Sequence, residues 1–142
     1  MVALAVAVPG TAAAAAPLPT DSERRPVAKA AVYKRHRHHV MRAQRNKKIA
    51  RKLVRRHWAG GRQYRCLDRL WTSESGWNHR ARNPRSGAYG IPQALPAGKM
   101  ARSGNDWRTN PRTQIRWGLR YVKSRYRTPC RAWAFWREHR WY

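Results

Sequence analysis

The sequence predicts a mostly α-helical, compact domain preceded by a disordered basic tail. Three observations carry that expectation: apolar residues recur at helical spacing in several segments, helix start and stop signals bracket those segments, and eight tryptophans supply large apolar area for a core. At 142 residues the chain has room for one domain. The predicted division is 1–16 as a secretory segment, 17–45 as a disordered linker and 46–142 as the folded domain.

Met1 to Ala16 is an apolar run ending in small residues with several Ala-x-Ala sites, the pattern of a secretory signal without its positively charged n-region. It is shorter than the roughly 20 apolar residues a membrane span needs, so no stable anchor is expected. Pro17 to Arg45 is rich in Pro, Ala and charge with little apolar period, which predicts disorder. His36, His38 and His39 stand among arginines, whose charge opposes a bound cation. No metal or cofactor is expected.

Asn46–Trp58 is the first expected helix, with Ile49, Ala50, Leu53, Val54 and Trp58 on one stripe and Lys or Arg over most of the remainder. Such a helix can lie on a membrane surface, but a narrow stripe followed at once by Gly60 and Gly61 favours packing against the domain. The second expected helix runs from Tyr64 to Ser75, with Gly76 as its stop. Leu67, Leu70, Trp71 and Glu74 fall at i, i+3, i+4 and i+7, so a carboxyl group shares the apolar face. Apolar surroundings and the negative end of the helix dipole both disfavour its anion. A carboxyl kept protonated near neutral pH is what a general acid requires.

Carboxylates are scarce, six in the chain. Asp68 points about 240° away from Glu74 around the helix. Asp106 lies in a Ser-Gly-Asn-Asp-Trp turn and Glu138 among Arg137, His139 and Arg140, where a turn bond and an ion pair are the plain expectations. Most glycoside hydrolases set two carboxylates across the scissile bond. A mechanism with one suits this composition better.

Asn110 with Pro111 forms a helix start, and Ile115, Leu119, Val122 and Tyr126 form the stripe of a helix ending before Pro129. Gly118 on that helix permits close approach of a neighbour. A last helix over Arg131–His139 carries Trp133, Phe135 and Trp136, which at helical spacing in a small domain read as core. Cys66 and Cys130 are the only cysteines, outside any Cys-x-x-Cys unit, and a disulfide suits a small exported domain.

Glu74-Ser75-Gly76-Trp77-Asn78, then Ser86-Gly87-Ala88-Tyr89-Gly90-Ile91-Pro92-Gln93, then Asn110, Ile115, Gly118 and Tyr121 in spaced order, resemble the motifs of the soluble lytic transglycosylase family. The likeness covers about Asn46 to Tyr142 and extends to small secreted actinobacterial members. It implies a lysozyme-like domain that cleaves the β-1,4 bond between N-acetylmuramic acid and N-acetylglucosamine in peptidoglycan. Glu74 would be acid and then base, giving a 1,6-anhydro product, with Ser75, Tyr89 and Gln93 lining the substrate site. The chain departs from the pattern in a one-residue longer segment between the first two motifs, in Pro92 where the family has Met, and in lacking the later Ala-Tyr-Asn-x-Gly motif. Cys130–Trp136 stands there instead, with Trp133 or Tyr142 as candidates for that wall of the groove.

A net charge of +26 and a pI near 11.8 point to a polyanionic partner. Outside the cell that partner would be an anionic wall polymer. No nucleic-acid motif is present, so no specific nucleic acid is expected. A monomer is expected, secreted or associated with the cell wall. A cationic wall-binding protein without catalysis and a hydrolytic muramidase are the alternatives left open by the residues.

Overall fold

The computed structural model describes residues 21–142 and is helical, with no strands among them. The expected secretory segment and the first residues of the expected linker lie outside the described residues. Four α-helices, α1 (Asp21–Val54), α2 (Gly61–Ser75), α3 (Pro111–Tyr126) and α4 (Pro129–His139), are accompanied by one 3-10 helix, Ala97–Ser103. The chain divides into two units, one ending at Lys34 and one running from Arg35 to Tyr142.

The linker expected over 17–45 is corrected over its described part, because helix α1 starts at Asp21 and not at Asn46. Beyond Pro26 this stretch has neither Gly nor Pro until Gly60, and it is rich in Ala, Arg and Lys, which favour helix without any apolar stripe. The packing starts close to where the stripe predicted. Side chains from Ala28 to Arg42 are exposed, and Asn46, Ala50, Leu53 and Val54 are the first that are buried. Helix α1 ends at Val54, before the expected Trp58, whose indole N–H reaches the Arg127 carbonyl at 3.0 Å.

The core of the second unit joins Leu53 and Val54 of α1, Leu67, Leu70 and Trp71 of α2, Trp77 and Ile91 of the loop that follows, Ile115, Leu119 and Val122 of α3, and Ala132 of α4. Each large aliphatic side chain fully buried here contributes about 1.5 to 3 kcal/mol. The stripes therefore pack inward, and the α1 stripe packs against the domain as expected. Trp71 and Trp77 meet edge to face at 5.2 Å, a geometry aromatic quadrupoles favour. Gly118 lets α3 approach α2 closely: a Cβ there would come within 2.7 Å of the Trp71 ring. A smaller cluster of Ala94, Met100 and Trp107 lies under the loop and the 3-10 helix.

The ends of the helices follow local chemistry. Gly76 closes α2 in the left-handed conformation, φ 57°, with its N–H on the Thr72 carbonyl. Asn110 caps α3 by accepting from the Arg112 N–H at 2.9 Å, with Pro111 in the first turn. Thr128 caps α4 in the same way, with Pro129 following, so α4 starts slightly before the expected Arg131. The Cys66–Cys130 disulfide ties α2 to α4.

Candidate active site

Glu74 occupies the last turn of α2, on the stripe that buries Leu67, Leu70 and Trp71. Its side chain is half-buried and accepts one hydrogen bond, from the indole N–H of Trp136 at 2.6 Å. Burial raises its pKa from the ordinary 4.5 to about 7, and the Trp136 bond opposes that rise only in part. A carboxyl so placed can hold its proton near neutral pH.

The partner side chain comes from the far end of the chain. Trp136 lies on α4, stacked on Trp133 at 5.2 Å, and the disulfide joins the start of that helix to α2. Tyr142 packs against the same core. Its hydroxyl accepts from the Trp71 indole at 2.8 Å and donates to the Pro92 carbonyl at 3.1 Å. Burial, and secondarily the charge of Glu74, hold the Tyr142 phenol well above its ordinary pKa, so it stays a neutral donor. Neither of the two side chains expected for this wall bonds to the carboxyl: Tyr142 bonds to Trp71 and Pro92, and the direct contact to Glu74 is made by Trp136, on which Trp133 stacks. Helical spacing read Trp136 as core. The resemblance flagged the segment but not the residue.

Of the other site residues of the sequence, Ser75 ends α2, and Tyr89 and Gln93 lie in the loop that follows. The Ser75 hydroxyl is 2.9 Å from the Ile91 carbonyl and 3.2 Å from that of Trp71, which fastens the loop to the end of α2. Gln93 adopts φ 47°, and its side-chain N–H donates to the Gly90 carbonyl at 2.9 Å. Tyr89 donates to the Arg108 carbonyl at 2.9 Å and meets Trp107 edge-on at 5.6 Å. Ser75 is the neighbour of Glu74 in the chain. Neither Tyr89 nor Gln93 is hydrogen-bonded to Glu74 among the described residues. Beneath the loop, buried Gln114 accepts from the Ile91 N–H at 2.9 Å and donates to the carbonyls of His79 and Trp107. That satisfies three backbone groups, two of them in buried bonds, and fixes the loop on α3.

The remaining carboxylates of the domain are engaged elsewhere or exposed. Asp68 pairs with Lys47 at 2.8 Å and accepts from the Trp77 indole at 2.8 Å. Asp106 accepts from Asn110 at 2.6 Å and Thr113 at 2.7 Å, and these bonds lower its pKa. Glu138 is exposed, and no ion pair holds it among the described residues. Also among the described residues, no cluster of His, Cys, Asp or Glu could hold a metal ion, and no helix is long and apolar enough to cross a membrane.

The transglycosylase SLT domain family matches the chain over residues 55–136, more than half of its length. No curated protein and no solved structure matches the chain significantly. The matched span runs from the end of α1 to Trp136 and includes Glu74, the loop and both cysteines. With that span, the chain belongs to the transglycosylase SLT domain family, of the lysozyme-like superfamily, and the family implies lytic transglycosylase activity on peptidoglycan.

Proposed function

We propose that the chain is an exported lytic transglycosylase in which Glu74 alone serves as acid and then as base. The observation that carries this reading is the isolation of that carboxyl: pKa about 7, one indole donor, and, among the described residues, no second carboxylate bonded to it or sharing its donor. In the first step the Glu74 proton passes to the bridging oxygen of the β-1,4 bond, and the bond from that oxygen to the muramyl C1 breaks. In the second, the Glu74 carboxylate takes the proton of the muramyl 6-hydroxyl while that oxygen bonds to C1. Glu74 ends protonated, the 1,6-anhydro ring closes and no water is consumed. The substrate's own hydroxyl fills the role of the second carboxylate that most glycosidases carry.

In this reading Trp136 stabilises the carboxylate formed between the two steps, and the neutral Tyr142 hydroxyl completes the polar wall. Gln93, whose amide nitrogen is tied to the loop, offers its carbonyl oxygen to sugar, with Tyr89 and Ser75 beside it. Export is supported by the apolar run at Met1–Ala16 and by the disulfide. The net charge of +26 favours retention on anionic wall polymers.

Mass spectrometry of purified peptidoglycan digested with the protein tests the reaction. The expected products are muropeptides ending in 1,6-anhydromuramic acid. Reducing ends in their place identify a hydrolytic muramidase. An undigested wall that retains the protein identifies a binder without catalysis.

A further inference from the structure

A second feature lies between α3 and the 3-10 helix. On α3, Trp117, Tyr121 and Ser124 fall at i, i+4 and i+7, and they line a groove with Arg120 and with Lys99 and Arg102 of the 3-10 helix. Trp117 and Tyr121 stack at 5.3 Å, 10° from parallel, and form a flat half-exposed platform. Three cations and no acidic side chain line the groove. Two of the cations are held in place: Arg120 donates to the Arg102 carbonyl at 3.0 Å and to the Ser103 hydroxyl, and Lys99 to the Leu95 carbonyl at 3.0 Å. The Arg102 side chain is exposed and makes no hydrogen bond among the described residues. The platform continues to the active site, because Tyr121 meets Tyr142 edge-on at 5.7 Å.

We propose that this groove recognises a carboxylate of the peptide stem carried by a muramyl residue of the glycan strand, with the adjoining sugar on the Trp117–Tyr121 platform. The inference rests on peptidoglycan being the substrate. In a strand of N-acetylated sugars the rings are neutral and the muramyl lactyl carboxyl is taken up in the amide to the stem. The anions are therefore the free carboxylates of the stem. A guanidinium with all its donors open, flanked by two further cations, matches a carboxylate in charge and in planar geometry. A flat aromatic pair beside it matches the apolar face of a pyranose. Substrate choice between intact and stem-modified strands is then set at this groove, apart from the chemistry at Glu74.

The test is calorimetric titration of the full chain carrying Glu74→Gln, which stops turnover, with a soluble disaccharide-peptide fragment and with the same fragment whose stem carboxyls are converted to carboxamides. The acid form is expected to bind about 5- to 10-fold tighter than the carboxamide, as a partly solvated charge-assisted contact allows. Adding Arg102→Gln brings that ratio close to one, Arg102→Lys restores part of it, and Arg55→Gln, the same loss of charge outside the groove, leaves it in place. Equal binding of acid and carboxamide, no measurable binding of the acid form, or a ratio indifferent to Arg102→Gln overturns the proposal. Carboxylate-dependent binding by a protein that releases no muropeptide would remove the transglycosylase reading and leave this one standing. Cleavage without the binding preference would do the reverse.

Discussion

The end of α2 and the turn before α3 each present one carboxylate, and the fold treats the two in opposite ways. Asp106 is exposed and accepts from both Asn110 and Thr113, so its anion is favoured by donors and by water. Glu74 is half-buried, stands against the aromatic side chains of α4 and the C-terminus, and has one indole donor, so its anion is disfavoured and its pKa rises to about 7. The chemical groups are nearly the same. The count of donors and the access of water decide that one carboxylate braces a turn and the other can exchange a proton at neutral pH.

The sharpest way to break this contrast is to remove each charge in turn. Glu74→Gln should lower the release of soluble muropeptides from purified walls by about a thousandfold, within the range of lost general acid–base catalysis. Asp106→Asn should leave release within a few-fold of the parent. Equal losses in two folded variants would mean that two carboxylates share the chemistry.

A smaller effect separates the single donor from the carboxyl it serves. Trp136→Phe keeps an aromatic side chain on α4 and deletes the bond to Glu74. Turnover is expected to fall about tenfold, as for one hydrogen bond to a charged group. Since that bond lowers the Glu74 pKa, its loss should also move the alkaline limb of the pH–rate profile to higher pH. An unshifted limb would show that Trp136 only fills space.

The smallest effect is in stability against pH, where the two carboxylates should differ in sign. The folded pKa of Glu74 is raised, so burying it costs stability progressively as pH rises from about 4.5 to about 7. Allowing for its partial exposure, Glu74→Gln should be more stable than the parent by about 1 kcal/mol at pH 8, and the difference should vanish towards pH 4. The folded pKa of Asp106 is lowered, so its contribution is present above the ordinary aspartate range and is lost as pH falls through the folded value. The deficit of Asp106→Asn should accordingly be seen at neutral pH and shrink in acid. Denaturant unfolding across this pH range reads both.

Local rules made much of the fold legible in advance. Gly76 ends α2, Asn110 and Pro111 start α3, and Leu67, Leu70, Ile115, Leu119 and Val122 turn inward where their period placed them. Each of these features depends on neighbours within a turn or two of helix. The same rules put Glu74 on an apolar stripe, and three spaced motifs indicated the family that matches over 55–136. The early start of α1 was not legible from its stripe, because helix propensity in Ala, Arg and Lys needs no apolar period.

The groups that surround the carboxyl were decided by the tertiary structure. Trp136 is 62 residues from Glu74 in the chain, and Tyr142 is 71 residues from Trp71. Trp133, Phe135 and Trp136 are equivalent as apolar residues at helical spacing. Whether Trp133 or Trp136 aims its indole N–H at Glu74 depends on the rotation of α4 about its axis, and that is set where Ala132 packs into the core and Cys130 bonds to α2. The chain alone determined that one carboxyl would sit where its charge is unwelcome. Long-range packing determined the single donor and the neutral phenol that stand around it.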